Sequence, residues 1–245
     1  QYGGSNKERL EDFQEALADP NVNAIWIARG GYGTIKIIDD IDMSVLKGGN
    51  KLLLGYSDVT NLHGLWQRHG LQSVHCFMPQ ELHEKSKEVL HNWSRVVAGE
   101  SQSLTFQNKN QLAVSTITAA VVGGNLSVLL SMLGSSTFPD LAGHILFIED
   151  LDEYLYHVDR MMTTLKRSGK LDNLKALIVG GMTDMQDHEI PFGKTAREII
   201  EEHTANANFP IIFDFPAGHV IDNFTFVLGK ITTLDIRENN ITISQ

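Results

Sequence analysis

Ser57 stands in Gly55-Tyr56-Ser57-Asp58-Val59-Thr60, between an apolar run over 51–56 and a segment whose Val59, Leu62 and Trp66 share one helical face. A serine at a strand-to-helix corner presents its hydroxyl outward. The first amides of the helix, at the positive end of its dipole, suit a developing oxyanion. The segment is similar to a nucleophile elbow but lacks the second glycine of Gly-x-Ser-x-Gly. The plain alternative is that Ser57 or Asp58 only caps the helix. Capping serines far outnumber nucleophiles, so local pattern alone favours the cap.

A serine nucleophile needs a base and a group to orient that base. The chain has 10 histidines, and spacing alone does not choose among them. His219, in Pro216-Ala217-Gly218-His219, follows a strand-like run; His75, after Val74, is its best rival, and His63 fits a helix face. Glu149 and Asp150 end the apolar run Ile145-Leu146-Phe147-Ile148, at the strand edge where α/β sites form. Asp152, Glu153 and Asp159 lie close by in sequence, and most such carboxylates are solvated surface. Arg29-Gly30-Gly31-Tyr32-Gly33 reads as a phosphate loop, an oxyanion loop or a tight turn. Its spacing matches neither Gly-x-Gly-x-x-Gly nor a P-loop, and the turn fits the spacing best. No metal site is expected: there is no His-Glu-x-x-His and no cysteine pair. Met161, Met162 and Leu165 have core spacing.

The elements around these residues alternate. Ser5 and Glu8 have capping-box spacing, with Leu10, Phe13 and Leu17 on one face of an opening helix. Strands are expected over 22–28 and 51–56, a helix from Val59 stopping at Gly70, and a further helix over 80–97. The polar stretch 99–111 reads as a linker or a long hairpin. Beyond it come a strand to Val122, a turn at Gly123-Gly124-Asn125, and a helix through Leu133. Strands over 144–148, 176–179 and 210–215 alternate with helices over 153–167 and 194–204, and Glu238-Asn239-Asn240 marks a hairpin turn. This is the pattern of an α/β fold with a parallel sheet under helices.

A chain of 245 residues with 42% hydrophobic and 20% charged residues is long enough for one large domain or two small ones. Its net charge of −10 argues against nucleic acid as a partner. The apolar runs are too short to span a bilayer, so no membrane partner is expected. The lone Cys76 excludes an internal disulfide and fits a reducing compartment. No signal peptide is visible, although Gln1 is not an initiator methionine.

Taken together and in order, Arg29-Gly30-Gly31-Tyr32-Gly33, Gly55-Tyr56-Ser57-Asp58-Val59-Thr60 and Gly123-Gly124-Asn125-Leu126-Ser127 resemble the LD-carboxypeptidase family. So do Glu149-Asp150-Leu151-Asp152-Glu153, Tyr156-His157-Val158-Asp159-Arg160 and Gly218-His219. Each motif alone is weak, but the series runs through almost the whole chain. The resemblance implies a Ser57–Glu149–His219 triad, with Glu153 as the alternative acid, and an oxyanion hole from the amides of Gly31 and Asp58. It implies a cofactor-free, cytoplasmic serine peptidase that removes the terminal D-alanine of murein tetrapeptide during peptidoglycan recycling. A substrate with a free carboxylate needs donors. Arg29, Gly30, Gly123 and Gly124 are the candidates, and Arg160 is better placed for a structural role.

The family also holds peptidases that inactivate microcin C, so an aminoacyl-nucleotide amide is the alternative substrate. The modest separation of Ser57 and Glu149 leans toward the carboxypeptidase branch. A non-catalytic muropeptide-binding homologue is a further alternative. The implied architecture is a Rossmann-like N-terminal domain over 1–98, lacking the first strands that the family has before Gln1, the linker 99–111, and a mixed, strand-rich C-terminal domain over 112–245. Family members are often dimers, so a homodimer is expected. Cys76 stands where the family commonly has glycine, and reads as a small packed residue.

Overall fold

The structure, a computed structural model, describes residues 3–46, 49, 51–107, 109 and 112–245. Ser5 and Glu8 close the expected capping box on α1 (Asn6–Ala18), which buries Phe13 and Leu17. The chain then forms β1 (Ala24–Trp26), β2 (Leu52–Gly55), α2 (Thr60–Arg68), β3 (Ser73–His75) and α3 (Lys87–Val97). Gly70 ends the α2 turn at φ 68°, a left-handed stop that glycine adopts without strain. The expected long helix over 80–97 is two pieces. A 3-10 segment, Pro79–Glu84, comes first, and Ser86 then caps α3 by accepting the Val89 amide. The cap explains the break, because its extended backbone cannot continue a helix.

The second half holds β4 (Ser103–Gln107), β5 (Ser115–Asn125), α4 (Leu126–Ser131), β6 (Ile145–Leu151), α5 (Leu155–Arg167) and β7 (Ala176–Thr183). It ends with α6 (Ala196–Thr204), β8 (Ile211–Ile212), β9 (Phe226–Leu228), β10 (Ile231–Ile236) and β11 (Asn240–Ser244). The 99–111 stretch contains β4, which pairs antiparallel with β11. Asn108, Asn110 and Gln111 of that stretch, and Gln1, lie outside the described residues. The turn expected at Gly123-Gly124-Asn125 is the end of β5 itself.

Two sheets result. One has the order β1-β2-β3-β9, with β1, β2 and β3 parallel and β9 antiparallel. The other runs β4-β11-β10-β5-β6-β7-β8, with β5 to β8 parallel and the remainder antiparallel. The fold is therefore mixed α/β, and β9 carries the second half of the chain back into the first sheet.

Helices α4, α5 and α6 cover one face of the large sheet, where Leu126, Leu129, Val158, Met162, Leu165, Ile199 and Ile200 bury against Leu146, Ile148 and Leu177. Phe147, Phe215, Phe226 and Leu234 pack on the opposite face. Each such aliphatic or aromatic side chain contributes about 1.5–3 kcal/mol by leaving water. The aromatic cluster includes Phe226 of β9 in the small sheet, and His75 of β3 joins it there, its ring stacked on Phe226 at 4.9 Å and edge-on to Phe147 at 5.0 Å. Helix α2 also packs on β5: Gly124 lies so close to Thr60 that a Cβ there would sit 2.5 Å from Thr60 Oγ1, and that hydroxyl accepts the Asn125 amide at 3.0 Å.

Candidate active site

Ser57 is half-buried and holds a left-handed backbone, φ 61°, at the first residue of the 3-10 turn Ser57–Val59 that leads into α2. A non-glycine residue there is strained, and such strain collects at functional corners. Gly55 allows the corner: a Cβ on it would sit 2.9 Å from Val59 Cγ2. Beneath the turn, His63 Nε2 lies 3.1 Å from the Gly55 carbonyl. That oxygen only accepts, so Nε2 carries the proton and Nδ1 accepts from the Ser73 hydroxyl at 2.8 Å.

The glycine loop lies over the corner. A Cβ on Gly30 would stand 3.2 Å from Ser57 Cβ and 3.3 Å from its Oγ. The buried Asp58 carboxylate holds the loop by accepting the Thr34 amide at 2.9 Å and the Thr34 hydroxyl at 2.6 Å. Gly31 is exposed at φ 107° and would meet nothing within 4 Å if it carried a Cβ. Asp58 is the second residue of the turn, so its amide has no acceptor within the helix. The side chain of Arg29 is exposed beside this loop.

The second half of the site is assembled from separate strands. Glu149, fully buried in β6, accepts from the His219 amide at 3.0 Å and lies 2.7 Å from His219 Nδ1, both through Oε2. A carboxylate partner fixes the proton on Nδ1 and leaves Nε2 as an acceptor. Burial lowers the His219 pKa, but the bond to Glu149 and the charges of Glu149, Asp150 and Glu81 outweigh it, and the net shift is upward. Gly218 must be glycine: its φ is 101°, and a Cβ would lie 2.6 Å from Glu149 Oε2. The imidazole packs against the Tyr56 ring at 4.7 Å, beside Ser57 in the chain. Among the described residues the Ser57 hydroxyl makes no hydrogen bond.

Several residues that hold this loop carried no signal in the motif reading. Between Ile148↔Val179 and Asp150↔Met182 the register shifts, so Gly180 and Gly181 of β7 face the single Glu149 of β6. Such bulges re-aim side chains beside sites. Gly181 donates its amide to Ala217 at 2.9 Å, and the Thr183 hydroxyl donates to the His219 carbonyl at 2.7 Å. Asn223 accepts the Gly218 amide at 3.0 Å. The glycine pair after the apolar run of β7 was the visible cue.

The rival residues have other partners. Glu153 pairs with His157 at 2.8 Å, one helical turn on. His75 is fully buried among Tyr56, Phe147 and Phe226, with its pKa pushed well down by burial. Burial also lowers His63, to about 4. Cys76 is buried and its thiol pKa is raised by the same cause. Arg160 lies 5.4 Å from the Tyr156 ring centre, a structural contact, while Asp159 pairs with His203 at 2.9 Å.

Gly123 and Gly124 are buried. A Cβ on Gly123 would fall 2.1 Å from the Phe147 carbonyl, so both glycines are needed for the approach of β6 and α2 to β5. Asn125 and Ser127 bind the Asp150 carboxylate, through Asn125 Nδ2 at 2.8 Å and the Ser127 amide at 2.9 Å. Burial raises Asp150 to about 6. A cavity of about 720 Å³ lined by Met182, Met185, Thr195, Phe213 and Val220 backs the histidine loop, and none of Ser57, Glu149 and His219 lines it. No metal-binding cluster occurs among the described residues.

A buried carboxylate bonded to an imidazole, that imidazole packed on the tyrosine before a half-buried, strained serine, and a glycine loop beside the serine are the parts that acyl-transfer chemistry uses. Residues 1–76 match the family model of the LD-carboxypeptidase N-terminal domain, and residues 118–234 match that of the LD-carboxypeptidase C-terminal domain. The chain belongs to the LD-carboxypeptidase family. It is 30% identical to a probable murein peptide carboxypeptidase of Bacillus subtilis, over 98% of this chain and 77% of that protein. The fold superposes on muramoyltetrapeptide carboxypeptidase from Oxalobacter formigenes with a TM-score of 0.90 at 28% identity, covering 99% of this chain and 85% of the other. It is also 25% identical to the microcin C7 self-immunity protein of Escherichia coli, over 99% of this chain and 79% of that relative. Family and relatives together make this LD-carboxypeptidase chain a peptidase. Among its described residues no helix is long and apolar enough to cross a membrane.

Proposed function

We propose that the chain is a serine LD-carboxypeptidase that hydrolyses the bond to the terminal D-alanine of murein tetrapeptide. The observation that carries this reading is the 2.7 Å contact of His219 Nδ1 with the buried Glu149, in an imidazole that packs 4.7 Å from the ring of Tyr56, the residue before Ser57. His219 Nε2 takes the Ser57 proton as Oγ attacks the carbonyl carbon of the scissile bond. The amides of Gly31 and Asp58 receive the oxyanion, and each such donor contributes about 3–4 kcal/mol in the transition state. The imidazolium, held by Glu149, returns the proton to the leaving amine of D-alanine. Water, giving a proton to the same imidazole, then attacks the acyl carbon, and the imidazolium returns that proton to the departing Ser57 Oγ. Glu149 fills the orienting role because Glu153 is committed to His157. Arg29 is the candidate partner of the substrate's terminal carboxylate.

The base acts in its neutral form, and its pKa is raised above 6.5. Activity therefore rises with pH through a midpoint above that value. The reading includes a division into domains over 1–98 and 112–245, a homodimer, and a cytoplasmic role in peptidoglycan recycling. A second reading is hydrolysis of an aminoacyl-nucleotide amide. It is favoured by three exposed rings, His188 stacking on Tyr154 at 4.6 Å and on Tyr156 at 5.5 Å, an aromatic surface suited to a base.

The test is D-alanine release from purified murein tetrapeptide, comparing the protein with Ser57→Ala and His219→Ala. Release that both variants lose supports the first reading. No release by the intact protein, with turnover of an aminoacyl-nucleotide amide instead, transfers the same triad to the second reading. Inactivity on both, with muropeptide retained in a binding assay, leaves a binding protein.

A further inference from the structure

Ser57 opens the turn after β2 of the small sheet, whereas His219 lies in the long loop between β8 of the large sheet and β9 of the small one, and something must hold the two in register. Tyr56, adjacent to Ser57, is buried, and its hydroxyl donates to Glu81 Oε1 at 2.8 Å. Glu81 lies in the 3-10 segment Pro79–Glu84, and its Oε2 stands 3.3 Å from Lys85 Nζ. Lys85 donates from Nζ to the Ile221 carbonyl at 3.1 Å, in the loop that carries His219. The side chain of Lys85 is 5% exposed and that of Glu81 17%. This is a desolvated ion pair, and each end has a further hydrogen-bond partner in one half of the site.

We infer that Glu81 and Lys85 are positioning residues that latch the His219 loop to the Ser57 corner and set the electrostatic balance around the imidazole. The inference rests on the serine–histidine reading of the site. A surface ion pair is worth little, but removing one partner of a buried pair leaves the other charge uncompensated. Nor is this pair simply filler between elements. The hydroxyl of Tyr56 and the carbonyl of Ile221 are bound to opposite members of the pair, so loss of either member lets the imidazole drift from the serine. The charged and titratable groups facing His219 are Glu149 and Asp150 from β6, Tyr56 after β2, Glu81 from the segment after β3, and His75 from β3. Lys85 offsets Glu81 among them.

Lys85→Met and Glu81→Gln therefore act oppositely on the base. The first leaves the Glu81 charge unopposed and moves the His219 pKa up. The second leaves the Lys85 charge unopposed and moves it down. Both lower kcat by about 10²-fold, the usual cost of an ångström of misplacement, with KM little changed. Lys85→Arg restores part of the rate, and Tyr56→Phe, which keeps the ring, loses rate with only a small shift of the pKa.

The experiment is an NMR titration of the His219 ring in the full chain for wild type, Lys85→Met, Lys85→Arg, Glu81→Gln and Tyr56→Phe, alongside kcat and KM for D-alanine release. Opposite pKa shifts for Lys85→Met and Glu81→Gln, with rescue by Lys85→Arg, are the expected result. Identical titrations in all five, or losses of rate that merely follow losses of thermal stability, overturn the inference. If Lys85→Met does not fold, the downward shift expected in Glu81→Gln and the loss of rate in Tyr56→Phe still carry the test. The titration needs no substrate: a wild type that releases no D-alanine defeats the proposed substrate, whereas unshifted titrations defeat the latch.

Discussion

The corner around Ser57 and the loop around His219 are built in opposite ways. The corner is nearly contiguous in sequence: Gly55 permits it, Val59 fills it, and Asp58 reaches out to pin Thr34. The histidine loop depends on residues far apart, with Glu149 in β6, Gly181 and Thr183 in β7 and Asn223 beyond the loop itself. The corner stores strain in one residue, Ser57 at φ 61°. The loop stores none in His219 and is fixed by hydrogen bonds to buried partners. A local corner therefore sets where the nucleophile points, while the integrity of the whole large sheet sets which tautomer the base presents.

The largest effect should come from breaking the loop side at its acid. Glu149→Gln keeps the volume and loses the charge, so the imidazole loses both its fixed tautomer and the stabilisation of its cation. A rate loss of about 10⁴-fold is expected, as for the corresponding aspartate in a serine triad. Glu153→Gln, which breaks only the contact with His157, should lose far less. Initial rates of D-alanine release for the two variants, with circular dichroism to establish folding, make the comparison. A Glu153→Gln enzyme that is the weaker of the two would reverse the assignment of the acid.

The same contrast explains what was legible in the sequence. The corner could be read because its signals are neighbours: an apolar run, a glycine, a serine and an amphipathic helix. The capping box of Ser5 and Glu8 was readable for the same reason. His219 could not be separated from His75 or His63 by spacing, since what distinguishes them is burial: the ring of His75 lies inside an aromatic cluster, and both ring nitrogens of His63 are in use. The resemblance, not the local pattern, singled out Glu149 and His219. Gly123-Gly124 looked like a turn because glycine pairs usually are one. Here their bareness lets Phe147 and Thr60 approach, a requirement visible only once the strands are paired. The split of 80–97 at Ser86 was missed because the apolar spacing continued across the cap.

A smaller effect is expected on the corner side from Gly30→Ala. The added methyl would lie 3.3 Å from Ser57 Oγ and 3.2 Å from Ser57 Cβ, tighter than ordinary contact, so the loop or the hydroxyl must give by a few tenths of an ångström. Displacement of the nucleophile or of the Gly31 amide by that amount should cost about 10-fold in kcat, less than the roughly 10²-fold of a full ångström, with stability nearly unchanged. Steady-state kinetics with a parallel thermal melt separates the two. Full activity in Gly30→Ala would mean that the loop is not held as closely over the serine as the corner geometry requires.

The smallest expected effect on chemistry, but one that sharpens the comparison, lies beneath the corner at His63. Its pKa in the folded protein is about 4 against 6.5 when exposed, with burial as the largest cause. The unfolded chain therefore binds a proton that the folded one refuses as pH falls from 6.5 toward 4. His63 contributes full stability above 6.5, and that contribution drains away across this window by about 3 kcal/mol. Asp150 has the opposite sign: its pKa is raised to about 6 from 3.8, so it favours the folded state as pH falls through that range. The two offset each other in the wild type, which makes the difference from a His63→Gln variant the informative quantity. At neutral pH the variant should be the less stable, through its lost bonds to Gly55 and Ser73. As pH approaches 4 that gap should narrow, because only the wild type carries the penalty of a buried imidazole. Urea unfolding of both proteins across this range measures it. A gap that stays constant would show that His63 takes up its proton inside the fold, with the Ser73 hydroxyl turning to accept it, and that the corner tolerates a buried charge.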